Sequence, residues 1–167
     1  MTIQSVLSID PFSWSSIGAA LFCGTIVGLE RQVRGKPVGI RTSSLIVLGT
    51  YMFIMIGTVV DSDASDPARI MGQVVTGIGF LGAGVMLTRD GVVVGVTSAA
   101  TIWSLAAIGV CIAVIGELVA IKMAIVVIGI LYGVGVLESR SLLFTRGAHT
   151  QYRERKKRLA KKNNLDD

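Results

Sequence analysis

Charge is scarce in this 167-residue chain, where Asp, Glu, Lys and Arg make up only 16%. Soluble domains run nearer a quarter. Histidine is scarcer still, since His149 is the single one and lies near the C-terminal end. A histidine-based metal site or a Ser-His-Asp triad inside the apolar part of the chain is therefore excluded. No HExxH sequence, no phosphate-binding lysine after a glycine loop and no serine nucleophile elbow occur. The expected protein is not an enzyme. Cysteine is nearly absent as well: Cys23 and Cys111 fall in apolar tracts without CxxC spacing. They read as small hydrophobes and say nothing of a disulfide or metal framework.

What is abundant is apolar sequence, at 51% of residues with a mean hydropathy of +0.68. The few charges are bunched and leave five uncharged tracts, near residues 12–29, 42–60, 70–87, 97–115 and 118–137. About 17–25 residues suffice to cross a bilayer as helix. The segment ahead of the fourth span, "VVVGVTS" from Val92, reads as loop or short extended chain. A soluble fold is excluded because too little polar surface remains to cover five such tracts. The reading is an all-α integral membrane protein with a bundle of about five transmembrane helices. Residues 1–137 form the membrane domain and 138–167 a basic tail.

The net charge of +5 is distributed by side. Arg31, Arg34, Lys36, Arg41, Arg89 and nine basic residues of the tail fall on one face if the spans alternate, whereas Arg69 and Lys122 fall on the other. The positive-inside rule makes the first face cytoplasmic, hence N-out and C-in. With no basic residue before the first tract, a cleaved signal peptide is not expected. Trp14 sits where an outer-interface aromatic belongs. Pro37 and Gly39 mark a tight connection, with Thr42 or Ser43 as candidate caps of the second helix. Asp66 before Pro67 reads as N-cap and first-turn proline of the third, and Asp90-Gly91 as an inner turn. The tail run "QYRERKKRLAKKNNLDD" suits a solvated segment or an anchor on anionic lipid. Without interleaved aromatics it does not suggest nucleic acid.

Polar residues at the membrane boundary need partners. Glu30 and Arg31 end the first span and Arg41 opens the second, which suggests a Glu30–Arg41 pair across adjacent helices. For Arg31 and Arg34, ordinary positive-inside anchoring is the alternative. Asp66, Arg69, Gln73 and Thr76 form a polar strip entering the third helix. It reads either as a cap with a local ion pair or as the mouth of a binding site. Asp61, Asp63 and Asp66 are weak candidates for Mg²⁺, since one or two carboxylates plus water commonly hold that ion. No other cofactor is implied.

Three blocks, "GLERQVRGKPVGIRTSSLIVLG", "DPARIMGQVVTGIGFLGAGVMLTRDG" and "GVTSAATIW", resemble the MgtC/SapB family of bacterial membrane proteins over roughly residues 28–103. The resemblance implies a small inner-membrane protein of about five spans. It points to Glu30, Arg31, Arg41 and Thr42 in the first block. In the second it points to Asp66, Arg69, Gln73 and the glycines, and in the third to Thr97 and Trp103. Ser43 departs from the pattern, since members often carry His or Asn there. Longer members also carry a folded cytoplasmic domain after the fifth span, where this chain has about 30 polar residues. Family members are linked to growth at low Mg²⁺, acid tolerance and survival inside host cells. The resemblance implies a modulator acting on ATP synthase or a transporter by helix contacts, with transport of Mg²⁺ or another small ion as the alternative.

Small residues supply the contact faces for such a modulator: Gly24-xxx-Gly28 in the first span, Gly129-xxx-Gly133 in the fifth, and the run "TGIGFLGAGVML" in the third. Five helices seldom need three such faces, so a homodimer in the lipid bilayer is expected. The letters Gly77-x-Gly79-x-x-Gly82 mimic a dinucleotide turn, but no acidic residue stands about 20 positions on and the tract is uncharged. On a helix Gly72, Thr76, Gly79 and Ala83 share one face, while Gly77 and Gly84 share another. That pattern predicts a central helix gripped from two sides or one with a broken backbone. Against ion transport, no carboxylate lies deep in any span.

Overall fold

A computed structural model of the chain describes residues 8–60, 67–89 and 92–140. Among these residues the elements are α1 (Trp14–Val33), α2 (Ile40–Val60), α3 (Pro67–Gly84), β1 (Leu87–Arg89), β2 (Val92–Val94), α4 (Val96–Val114) and α5 (Glu117–Arg140). The helices fall where the uncharged tracts predict them, and the fold is that of an all-α membrane protein. α2, α4 and α5 are long and apolar enough to cross a membrane. α1 is diluted by Glu30 and Arg31 at its end, and α3 by Gln73 and five glycines.

The boundaries move where local chemistry outweighs hydropathy. α3 starts at Pro67, as the first-turn proline reading has it, and ends at Gly84, short of residue 87, where the Val85 and Met86 amides turn back on the Gly82 and Ala83 carbonyls. The β-branched run Val92–Val94 then pairs antiparallel with Leu87–Arg89, as the extended reading of "VVVGVTS" anticipates. α5 continues through Arg140. No Gly or Pro interrupts it there, and each added residue of an existing helix gains one backbone bond. Asp66, Asp90 and Gly91 lie outside the described residues, so the cap and turn read at them do too.

Successive helices run antiparallel. Gly24 and Gly28 of α1 meet Ser44 and Ile40 at the start of α2, Gly57 near the end of α2 meets Ile70, and Gly82 meets Ala99. One end of the bundle thus gathers the ends of α1, α3 and α5 with the starts of α2 and α4. At the other end Ser13 caps α1, accepting from the Ser16 amide at 3.1 Å. There Ser15 and Ser16 both donate to Glu117 Oε1 at 2.8 Å, tying α1 to the start of α5.

α4 is the hub and touches every other described helix. Half of its span is buried (50%) against 11% for α5. The core holds Cys23 and Val27 of α1, Val47 and Tyr51 of α2, Leu105 of α4, and Ala120 and Ala124 of α5. Close approach of α2 and α4 depends on Gly109, where a Cβ would lie 2.6 Å from the Val47 carbonyl oxygen. Such contact between backbones is what holds helices together where lipid removes the hydrophobic drive. α3 stands at the edge, packed along α4 and only sparsely against α2.

Candidate functional site

The polar residues sort into a charged clasp and an open groove. The clasp forms where α1 ends. Arg31 is 4% exposed, so it is no solvated anchor. Its Nη2 donates to Ser98 Oγ in the first turn of α4 at 3.1 Å. Glu30 stands beside it, with Oε2 at 3.8 Å from Arg31 Nη1 and Oε1 at 2.7 Å from Arg34 Nε. These are charge contacts without hydrogen-bond alignment, since both Glu30 oxygens and Arg31 Nε lack a hydrogen-bond partner among the described residues. Arg34 reaches on to α5, donating to the Tyr132 carbonyl at 3.3 Å and lying 5.2 Å above the Tyr132 ring. Three helices are joined by this one chain of charge. Removing ions from water costs several kcal/mol each unless they are paired, so the arrangement is specific rather than incidental.

The expected Glu30–Arg41 pair does not form. Glu30 faces back along its own helix to Arg34, one turn on, and Arg41 makes no ion pair among the described residues. Neither Thr42 nor Ser43 caps α2, which already begins at Ile40. Ser43 is fully buried and donates to the Val38 carbonyl at 3.0 Å. That bond steadies Val38, a β-branched residue held at φ 68, in a backbone region that such residues rarely adopt.

The groove lies between α2 and α3, with a volume of about 700 Å³. Arg41 and Thr42 stand at its α2 start, and Leu45, Gly49 and Phe53 continue its wall at helical spacing. Ile70, Gln73, Gly77 and Leu81 form the facing wall. Gln73 therefore opens onto a cavity, as one of the two readings of the α3 polar strip requires. Thr76 instead turns away and donates to the Gly72 carbonyl at 2.9 Å. Arg69 is exposed, and Asp61, Asp63 and Asp66 lie outside the described residues. No cluster of three or more His, Cys, Asp or Glu occurs among the described residues.

The glycines divide sharply. A Cβ at Gly28 would lie 2.6 Å from Ile40 Cα, and one at Gly24 would collide with Ser44 Cα, so the first small-residue pair serves packing within the chain. At Gly72, Gly77, Gly79 and Gly84 nothing lies within 4 Å, and the same holds at Gly129 and Gly133. Of the α3 glycines, Gly82 alone has a neighbour in reach: a Cβ there would lie 3.7 Å from Ala99 Cβ. α3 is thus neither gripped from two sides nor broken. It is a continuous helix whose face of Gly72, Thr76, Gly79 and Ala83 is exposed.

In the third sequence block, Thr97 and Trp103 are exposed, and Ser98 rather than Thr97 meets the clasp. The buried stripe Ser98, Thr101, Leu105, Ile108 and Ile112 carries the signal that finds it, because Thr97 sits about 100° away on the helix. Glu117 and Tyr132 were legible only as a lone charge and a lone aromatic.

A profile of the MgtC family matches residues 17–140. YhiD of Escherichia coli (strain K12), whose name assigns it provisionally to magnesium transport, is 48% identical over 101 residues, covering 56% of this chain and 46% of YhiD. Protein MgtC of Brucella abortus (strain 2308) is 40% identical over 94 residues, 56% of this chain and 39% of that protein. Protein MgtC of Salmonella typhimurium (strain 14028s / SGSC 2262) is 44% identical over 92 residues, 55% of this chain and 39% of its own length. The matched part is less than half of each of these relatives. No solved structure matches. On this matched span, which reaches into each of the described helices, the chain belongs to the MgtC family.

Proposed function

We propose that the chain is a non-enzymatic, multi-pass protein of the bacterial cytoplasmic membrane, oriented N-out and C-in, that modulates other membrane machinery through lateral helix contacts. A transporter or ATP synthase is the kind of target it suits, in adaptation to low magnesium or acid stress. The observation that carries the reading is the outer face of α3. Gly72, Thr76, Gly79 and Ala83 form an exposed small-residue stripe with Phe80, 80% exposed, beside it. Small-residue faces let a second helix approach closely in lipid. The same stripe suits a homodimer, with Gly129 and Gly133 of α5 as a further open face. The alternating helices, with Arg31, Arg34 and Arg41 at one end, support the orientation.

Transport of Mg²⁺ is the second reading, supported by the name of YhiD. The Glu30 oxygens, buried without aligned donors, are of the hard kind that Mg²⁺ takes. Arg31 and Arg34 beside them weigh against a cation there. Mg²⁺ flux into liposomes holding purified protein separates the two. The expected result is no flux above protein-free liposomes. Robust flux abolished by Asp66→Asn and Gln73→Ala would replace modulation with transport.

A further inference from the structure

Independently of that reading, we propose that the groove between α2 and α3 is a lipid site. An acyl chain of an anionic phospholipid lies along its apolar walls, and the lipid phosphate meets Arg41 and Thr42. The groove faces away from the exposed stripe of α3, so the two surfaces are separate.

The charge of the groove is one-ended: Arg41 is its one charged lining residue, and the polar Thr50 and Gln73 farther along are neutral. Arg41 and Thr42 stand at one end, and below them the α2 wall continues through Leu45, Gly49 and Phe53. Among the described residues Arg41 has no ion pair or side-chain hydrogen bond. A guanidinium at the edge of the hydrocarbon calls for a partner. Its planar fork of donors matches phosphate oxygens, and the Thr42 hydroxyl adds one more donor.

Length selects the occupant. From Arg41 to Phe53 the groove runs twelve residues of helix, about 18 Å at about 1.5 Å per residue. There Ile70 packs over Gly57 and closes it. One leaflet of a hydrocarbon core about 30 Å thick is about 15 Å deep. An acyl chain hanging from a phosphate at Arg41 therefore fills the groove, whereas a spanning partner helix needs the full thickness. Most of the lining is apolar, so an acyl chain suits the groove better than water does. Gly49 and Gly77 keep it open, since nothing lies within 4 Å of a Cβ at either.

The test uses the full chain in phosphatidylcholine liposomes doped with phosphatidylglycerol whose acyl chain carries a diazirine. A matched diazirine phosphatidylcholine runs in parallel, and adducts are mapped by mass spectrometry after illumination. The expected result is phosphatidylglycerol adducts concentrated on the groove walls, such as Leu45 and Leu81, at about fivefold the phosphatidylcholine yield. Arg41→Gln removes that preference and leaves the phosphatidylcholine yield unchanged. Gly49→Leu and Gly77→Leu each fill the groove and remove adducts from both lipids, with helix content by circular dichroism unchanged. Either of the two suffices if the other fails to fold. Adducts spread evenly over α5 and α1 would overturn the proposal, as would equal labelling by the two lipids. Chain-to-chain cross-links at these walls, growing with protein density as adducts fall, would give the groove to a second copy and overturn it too.

Discussion

α1 and α3 are both glycine-bearing helices of similar length, yet their glycines do opposite things. Gly24 and Gly28 press against the backbone of α2 so closely that no Cβ fits. At Gly72, Gly77, Gly79 and Gly84 an added Cβ would meet nothing within 4 Å. The difference lies in the neighbours. α1 has the Glu30–Arg31–Arg34 clasp holding its end to α4 and α5, with Ser15 and Ser16 holding its start to Glu117. α3 has one firm neighbour, α4, and a gap on the side of α2. In lipid a small-residue stripe is a site for another backbone, and whether that backbone is internal is a matter of position.

The sharpest way to break this contrast is to enlarge the α1 pair. Gly24→Leu with Gly28→Leu is expected to destabilise by more than about 3 kcal/mol and to prevent folding, because backbone atoms must move rather than side chains. Thermal unfolding in detergent, or the absence of a folded peak, reads this. Glu30→Leu comes next, at about 3 kcal/mol, since it leaves Arg31 and the half-buried Arg34 without their counter-charge. Denaturant unfolding followed by circular dichroism measures it, and a neutral result would mean that the clasp is not structural.

Ser98→Ala is smaller, at about 1–2 kcal/mol, for the loss of one hydrogen bond to a buried guanidinium. Thr97→Ala, on the exposed neighbouring position, serves as its control and should shift the same unfolding curve by less than about 0.5 kcal/mol. Gly79→Leu is expected to have the smallest effect on stability, also below about 0.5 kcal/mol, because the new side chain enters open space. The same change should abolish self-association measured by cross-linking in liposomes, if the α3 face serves the contacts proposed for it. Unchanged association would move the interface to the open face of α5 at Gly129 and Gly133.

Much of the site was legible because a polar side chain inside an apolar chain is conspicuous. Glu30, Arg31, Arg41 and Gln73 all stand out against uncharged tracts, and each lies in the clasp or on the groove. Their partners were not legible. Arg31 finds Ser98, 67 residues away, while its sequence neighbour Thr97 points elsewhere. Arg34 finds Tyr132, 98 residues away, though its placement reads equally as a solvated anchor. Pairing over such separations depends on how each helix is rotated about its axis, which hydropathy does not record.

By itself the sequence determined the class of the protein, the approximate bounds of the described helices, the short extended segment before α4 and the family to which it belongs. These follow from local quantities: the length of uncharged tracts, the position of Pro67 at a helix start and the β-branched run at Val92–Val94. Only the tertiary structure decided which glycines are filled. It also showed that Glu30 turns to Arg34 instead of Arg41, and that a groove separates α2 from α3. A glycine states only that two surfaces are able to approach. Which surface arrives is settled by the crossing and rotation of whole helices, set jointly by contacts far apart in the chain.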